Sequence, residues 1–293
     1  MSNILDAVLQ QYESNKIDTS SSSGKMSQDE RLKKYFTTIL QNGEREGQKR
    51  IRILPTNDGT SPFKEVWFHE VQVGGRWMKI YDPGKNKGER SPLNEVNEAL
   101  MMTGTEQDKV LARQYKPKKF YIVKVIDQDK IADGVKFWRF KHNYKGDGIL
   151  DKIIPIWKNK GDVTDAEKGR DLILSLSLVK APNGKEYTNV SSIMYDDPTP
   201  ISEDTDTMET FLKDEMTWEN VYSKKPEEYL DAIAQGHEPR WSSEVGKYVY
   251  GDGSQTIEIS GGTSTTKAVE IAPIAATIVD TQAGAAVNED LPF

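Results

Sequence analysis

The chain has 293 residues, 36% of them apolar and 29% charged, with no cysteine and a formal net charge of -7. That supplies core material for one large domain with appendages, or for two small domains. It excludes a disulfide framework and a thiolate metal site, and no run of about 18 apolar residues is present to cross a membrane.

The charge is unevenly distributed. Residues 31–160 carry a net +11, residues 161–293 a net -15 and residues 1–30 a net -3. A basic middle followed by an acidic end fits nucleic-acid contact in the first part and an interaction region in the second. The first residues lack a basic stretch followed by an apolar one, so they do not read as a secretory signal. The expected location is the cytoplasm, or the host cytoplasm for a viral protein.

In chain order, Ile4, Leu5, Val8, Leu9 and Tyr12 fall at helical spacing over residues 2–13, and Ser20 to Gly24 form a hinge. Ser27 with Glu30 is a capping-box pattern that opens a second helix running to Phe36. From Lys49 the period becomes two, with Arg50 and Arg52 alternating with Ile51 and Ile53 until Pro55. Glu65–Val73 and Arg76–Tyr81 form a hairpin around Gly74-Gly75. Residues 93–115 read as helix, with Val96, Leu100, Val110 and Leu111 as its buried positions. Strands follow at Lys118–Ile126, Val135–Lys141 and Asp171–Lys180, the last turned by Pro182-Asn183-Gly184 into Tyr187–Ile193. Residues 207–234 form helices interrupted near Pro226. Residues 251–287 lack aromatics and are rich in Gly, Ser, Thr and Ala, the composition of a mostly disordered tether.

The expected fold is β-rich α+β, with an OB-type barrel core, helical insertions and a disordered C-terminal tether. Its units are an N-terminal arm (1–30), the core (31–250), a linker (251–287) and an acidic tail (288–293). Sequence-tolerant binding of single strands needs cations for phosphates and aromatic faces for bases. The basic half interleaves both: Arg50 and Arg52 on one strand, then Arg76, Trp77, Lys79 and Tyr81 on the hairpin. Lys116, Lys118, Lys119, Phe120 and Tyr121 follow, then Trp138, Arg139 and Lys141, and finally Tyr187. Alternation puts Phe137, Arg139 and Lys141 on one face and Trp138 with Phe140 on the other. At least half of these aromatics are therefore expected in the core.

Enzymatic readings find little support. There is no phosphate-binding loop with Lys and Ser/Thr and no nucleophile elbow. Asp127, Asp129 and Asp133 lack the ligand spacing of a calcium loop. The expectation is a protein without catalytic residues and without a cofactor.

The chain ends in Asn288-Glu289-Asp290-Leu291-Pro292-Phe293. Glu289 and Asp290 suit a basic rim, and Leu291, Pro292 and Phe293 suit an apolar pocket. This ending resembles the acidic tail of bacterial single-stranded DNA-binding proteins, which implies recruitment of replication, recombination and repair enzymes. From about Lys49 to Gly236 the chain resembles the helix-destabilising single-stranded DNA-binding proteins of T-even phages. The resemblance rests on Ile51-Arg52-Ile53-Leu54-Pro55, Gly75-Arg76-Trp77 and Lys118-Lys119-Phe120-Tyr121. Lys136-Phe137-Trp138-Arg139-Phe140, Asp151-Lys152-Ile153 and Asn183-Gly184-Lys185-Glu186-Tyr187 continue it in the same order. It implies an OB-fold core that coats single strands, with self-association on DNA. It also implies a structural zinc held by one His and three Cys. Here His69 falls near the His position, but Ser91-Pro92-Leu93-Asn94 replaces the Cys-x-x-Cys pair, so no zinc is expected. Residues 1–12 carry no Arg or Lys, unlike the basic arm that gives that family its cooperativity. Two alternatives are a protein-interaction adaptor with an OB-like core and a metal-dependent nuclease using the acidic loops.

Overall fold

The structure, a computed structural model, describes residues 28–41, 43–181, 184–222, 224–242, 246–250 and 255–256. The expected helix at 2–13, the hinge, the Pro182-Asn183 turn, nearly all of the linker and the tail lie outside them. Helix α1 (Gln28–Lys33) is shorter than the capping pattern suggested. Tyr35–Phe36 instead forms a two-residue strand, β1, and both rings are buried.

The main strands are β2 (Glu46–Ile53), β3 (Lys64–Val73), β4 (Arg76–Tyr81), β5 (Lys118–Asp127), β6 (Val135–Lys141), β7 (Arg170–Lys180) and β8 (Glu186–Pro198). With β1 they form one eight-stranded sheet ordered β1-β6-β5-β2-β7-β8, from which β3 and β4 branch. Only the β1–β6 pair is parallel. The branch point is β5. Its first half pairs with β3 (Phe68 opposite Lys118) and its end pairs with β2 (Ile51 opposite Asp127). The fold is thus sheet-rich α+β. Among the described residues no strand pair closes the sheet into the expected barrel.

Hairpin β3/β4 turns at Gly74 and Gly75, with φ of 55° and 77°. A two-residue turn with both φ positive matches strand twist, and glycine adopts it without a Cβ clash. The expected helix over 93–115 is two helices, α3 (Pro92–Thr103) and α4 (Glu106–Tyr115), that follow the short α2 (Pro83–Lys87). Gly104 breaks them at φ 76°, and the Thr105 side chain accepts the Asp108 N–H to start α4. Leu100 is buried as expected, but Val110 lies 54% exposed, because the break rotates α4 away from the register of α3.

A helix α5 (Ile149–Lys160) packs Ile153 and Ile156 onto one sheet face, against Ile51, Ile53, Val123, Val125, Trp138, Leu172 and Leu174. The opposite face is covered by Tyr35, Val221 and Tyr222, which meet Val66, Phe68, Phe120, Ile122 and Phe137. Val221 closes α7 (Trp218–Val221), which lies between α6 (Thr205–Leu212) and α8 (Glu227–Ala234). With both faces covered, β5 and β6 lose the buried–exposed alternation of a half-solvated strand. A small three-stranded sheet, β9 (Arg240–Ser242), β10 (Lys247–Tyr250) and β11 (Gln255–Thr256), completes the described chain.

Candidate nucleic-acid interface

The double covering of the sheet redistributes the residues that the sequence pointed to. Arg52 is fully buried. Its Nε donates to Asp171 Oδ1 at 2.8 Å, and its two terminal nitrogens donate to the Thr199 carbonyl and hydroxyl. Phe120 and Trp138 are 2% exposed and Tyr121 is 7% exposed. Arg139 is buried with its guanidinium 5.1 Å from the Phe68 ring and 4.6 Å from the Tyr222 ring. Tyr81 is buried and stacks on Trp218 with ring centroids 5.9 Å apart. Arg52, Phe120, Tyr121, Trp138, Arg139 and Tyr81, all expected DNA contacts, are packed inside the fold in this conformation. Each sits where a helix or a neighbouring strand covers its face.

The other expected residues among those described stay near solvent. Lys118, Lys119 and Lys141 converge where β5 begins and β6 ends, because Phe120 pairs with Lys141 across those strands. On one face, Lys118 and Lys141 both reach Glu70 Oε2, at 2.5 and 2.7 Å. Burial would push the Glu70 carboxyl up, but the two ammonium groups bring it down to about 2. One carboxylate between two cations leaves a net positive site that is already held in place. On the other face, Lys119 lies 5.6 Å over the Trp67 ring and pairs with Glu65 at 3.0 Å. The same edge carries Tyr144, 73% exposed, braced edge-on by His142 at 4.3 Å. His142 is in turn 3.3 Å from the Tyr121 hydroxyl. The partly buried Trp67 and exposed Tyr144 were not among the expected contacts. Tyr144 was legible as an aromatic in a polar, Gly-containing segment after a strand, whereas Trp67 alternates like any core residue.

Elsewhere the set is dispersed. Arg76 and Trp77 stand exposed at the tip of the β3/β4 hairpin, with Lys79 partly exposed further along β4. Lys116 is exposed just before β5. Arg50 is exposed but bridges Asp196 at 2.9 Å, and Tyr187 is 39% exposed at the far end of β8. Glu289, Asp290, Leu291, Pro292 and Phe293 lie outside the described residues.

The zinc position has its own geometry. His69 is fully buried; its Nδ1 is 2.6 Å from the Tyr115 carbonyl, and its Nε2 is 3.2 Å from Asp82 Oδ1 and 3.4 Å from Ser91 Oγ. Asp82 accepts the N–H groups of Gly84 and Lys85 and the side-chain amide of Asn94. Burial raises the Asp82 carboxyl, but hydrogen bonds from His69, Ser91 and the Lys85 N–H hold it well below the usual carboxylate range. The donor set does not fit zinc. It offers no thiolate, its one carboxylate is engaged by three N–H donors, and Asn94 turns its N–H inward rather than its oxygen. Ser91 and Asn94 thus form, with His69 and Asp82, a buried polar cluster that ties β3 and the end of β4 to the start of α3.

The acidic loop shows no convergence either. Asp133 pairs with Lys136 at 2.7 Å, Asp127 faces the same lysine at 3.5 Å, and Asp129 accepts the Arg50 N–H. Among the described residues no helix is long and apolar enough to cross a membrane.

No curated protein matches the chain. The family model described as gp32 DNA binding protein like matches residues 45–235, about two thirds of the chain. The matched stretch contains every element of the lysine-rich edge, from β3 to the end of β6, and the protein belongs to the gp32-like family of DNA-binding proteins.

Proposed function

We propose that the protein coats single-stranded DNA during phage DNA replication, recombination and repair, with an OB-type core spanning residues 31–250. The carrying observation is the edge of β5 and β6, where Lys119 lies over Trp67 on the face that also bears the exposed Tyr144, while Lys118 and Lys141 stand at the same edge on the other face. Cations set beside aromatic rings on rigid strands suit a binder that takes phosphates and any base face. A duplex offers no unstacked base to such rings. The OB-type reading of the core is supported by β5, which serves both β2 and β3 as a shared strand would in a partly open barrel. The tail residues Glu289 to Phe293 recruit replication and repair enzymes, and copies associate on the strand. The protein is not an enzyme in this reading, since the aspartates of the 127–133 loop are engaged by Lys136 and backbone.

The test is a fluorescence titration with oligo-dT and with duplex at several salt concentrations. Three to six phosphate contacts give a log–log salt slope of roughly -2 to -4 for single strands. Affinity that does not change with salt, or equal affinity for duplex, overturns the reading. Removal of residues 288–293 is expected to leave DNA affinity intact and abolish enzyme capture in a pull-down.

A further inference from the structure

The dipeptide Arg-Trp occurs twice in the chain, at Arg76-Trp77 and at Arg240-Trp241. The fold brings the two copies together through one residue. Glu238 lies 3.9 Å from the Arg76 guanidinium and 3.5 Å from that of Arg240. Its carboxyl group also rests on the hairpin turn, where a Cβ on Gly74 would come within 2.3 Å of the Glu238 carboxyl carbon. The ribbon β9–β10 is thereby docked at the tip of β3/β4. Both arginine side chains remain largely in solvent, 81% exposed for Arg76 and 76% for Arg240. One carboxylate shared at these distances neutralises at most one of the two.

Trp241 is 61% exposed, and Trp77 is 38% exposed. The Trp241 indole is nevertheless held. Tyr248 meets it edge-on at 5.3 Å, and Tyr229 meets Tyr248 at 4.8 Å. Tyr229 is 4% exposed and packs with Leu93, Leu230 and Ile233, so the brace is rooted in the core. A large apolar ring left in water yet braced by Tyr248, which is itself packed on Tyr229, loses little side-chain entropy when something stacks on it. Among the described residues β9 is one of the two outer strands of its sheet. Alternation sends Arg240 and Trp241 to opposite faces of β9, so a chain running along that edge meets both.

We propose that β9 carries a second station for single-stranded DNA, in which a base stacks on Trp241 and the neighbouring phosphates meet Arg240 and Arg76. Two exposed guanidiniums select a polyanion over an apolar peptide, and an indole accepts any base. Trp241 and Arg240 lie beyond residue 235, outside the segment that the family model matches, while Arg76 lies within it. It extends the strand's path from the hairpin tip onto the ribbon. The inference rests on the proposed single-strand binding, and a length series separates the two.

The experiment uses the full chain with oligo-dT of increasing length. Trp241→Ala is expected to weaken binding of long oligomers by roughly 5- to 150-fold, the effect of one lost base stack. Short oligomers that the β5/β6 edge holds alone keep their affinity, and Trp241→Phe restores most of the loss on long ones. Arg240→Gln is expected to reduce the salt slope on long oligomers only. If the wild-type chain binds no oligomer, the proposed function fails. If it binds and Trp241→Ala matches it at every length, this station fails while the function stands. A readout that needs no destabilising change is 5-fluorotryptophan in the wild-type chain, with the Trp241 resonance assigned through Trp241→Phe. A shift of that resonance on adding long oligo-dT supports the station, and its failure to move at saturation overturns it.

Discussion

The inner halves of β5 and β6 and the outer ends of the same strands are built from the same residue types and serve opposite purposes. Inside, Phe120, Trp138 and Arg139 are closed in by Tyr222, Phe36 and Phe68. A few residues away, Lys119, Lys141 and Tyr144 stand at the rim. A basic or aromatic residue on a strand therefore says little about DNA until the cover over its face is known. Where helices and neighbouring strands cover the sheet, a guanidinium becomes a core hydrogen-bond hub. Where they stop, the same chemistry is left for a ligand.

The sharpest test of this contrast is Arg52, an expected nucleic-acid contact that the fold buries completely. Arg52→Ala leaves Asp171 with the Gln128 amide alone and strips the Thr199 carbonyl of the guanidinium in a covered site, and is expected to cost about 3–5 kcal/mol of stability. Denaturant unfolding measures it. The folded fraction should keep its salt slope, and a lost slope at unchanged stability would return Arg52 to the interface.

The two aromatic populations can be separated in one pair of variants. Trp138→Ala removes a buried indole and is expected to destabilise by about 3–5 kcal/mol with little change in the affinity of folded protein. Tyr144→Ala is expected to do the reverse, with stability within about 0.5 kcal/mol of wild type and binding weakened by roughly 1–3 kcal/mol. Thermal melts and oligo-dT titrations of both proteins give the answer, and the contrast breaks if the two variants behave alike.

Glu70 connects the regions, being a buried carboxylate that holds two rim lysines. Its folded-state value near 2 lies below the ordinary 4.5, so its stabilisation is present above about pH 4.5 and is lost as pH falls towards 2. The effect is on the order of 3 kcal/mol. Glu70→Gln is expected to flatten stability over that acid window in pH-dependent melts. At neutral pH it also removes a negative charge from the edge, so single-strand affinity at low salt should rise.

Smaller again is Lys119→Gln. Its pair with Glu65 is open to solvent, so stability should hardly move, whereas the salt slope is expected to fall by about 0.7, one single-strand phosphate contact. The smallest effect is expected at Arg90. It bridges Glu95, Glu227 and Asp231, more carboxylates than Arg52 meets, yet its side chain is 48% exposed. Arg90→Ala should cost no more than about 1 kcal/mol in a chemical melt, because water screens each bridge. A loss comparable to that of Arg52→Ala would show that the number of bridges matters more than burial.

Much of this protein was legible in its sequence. The hairpin at Gly74-Gly75, the strands from β5 to β8 and the break before α8 at Pro226 follow from local rules, since period, turn residues and caps act over a few positions. The basic middle, the interleaved aromatics and the family also showed there. The capping box before Phe36 misled by extending α1, because burial of Tyr35 and Phe36 beside β6 outweighs the helix signal. What only the tertiary structure decided is which faces are covered. Alternation separates two faces of a strand, but whether a helix such as α5 or a neighbour such as Tyr222 lies over either depends on contacts between residues far apart in the chain. That long-range packing buried Arg52, Trp138 and Arg139, left Lys119 and Tyr144 at the rim, and set Glu238 against a hairpin tip more than 150 residues away in sequence.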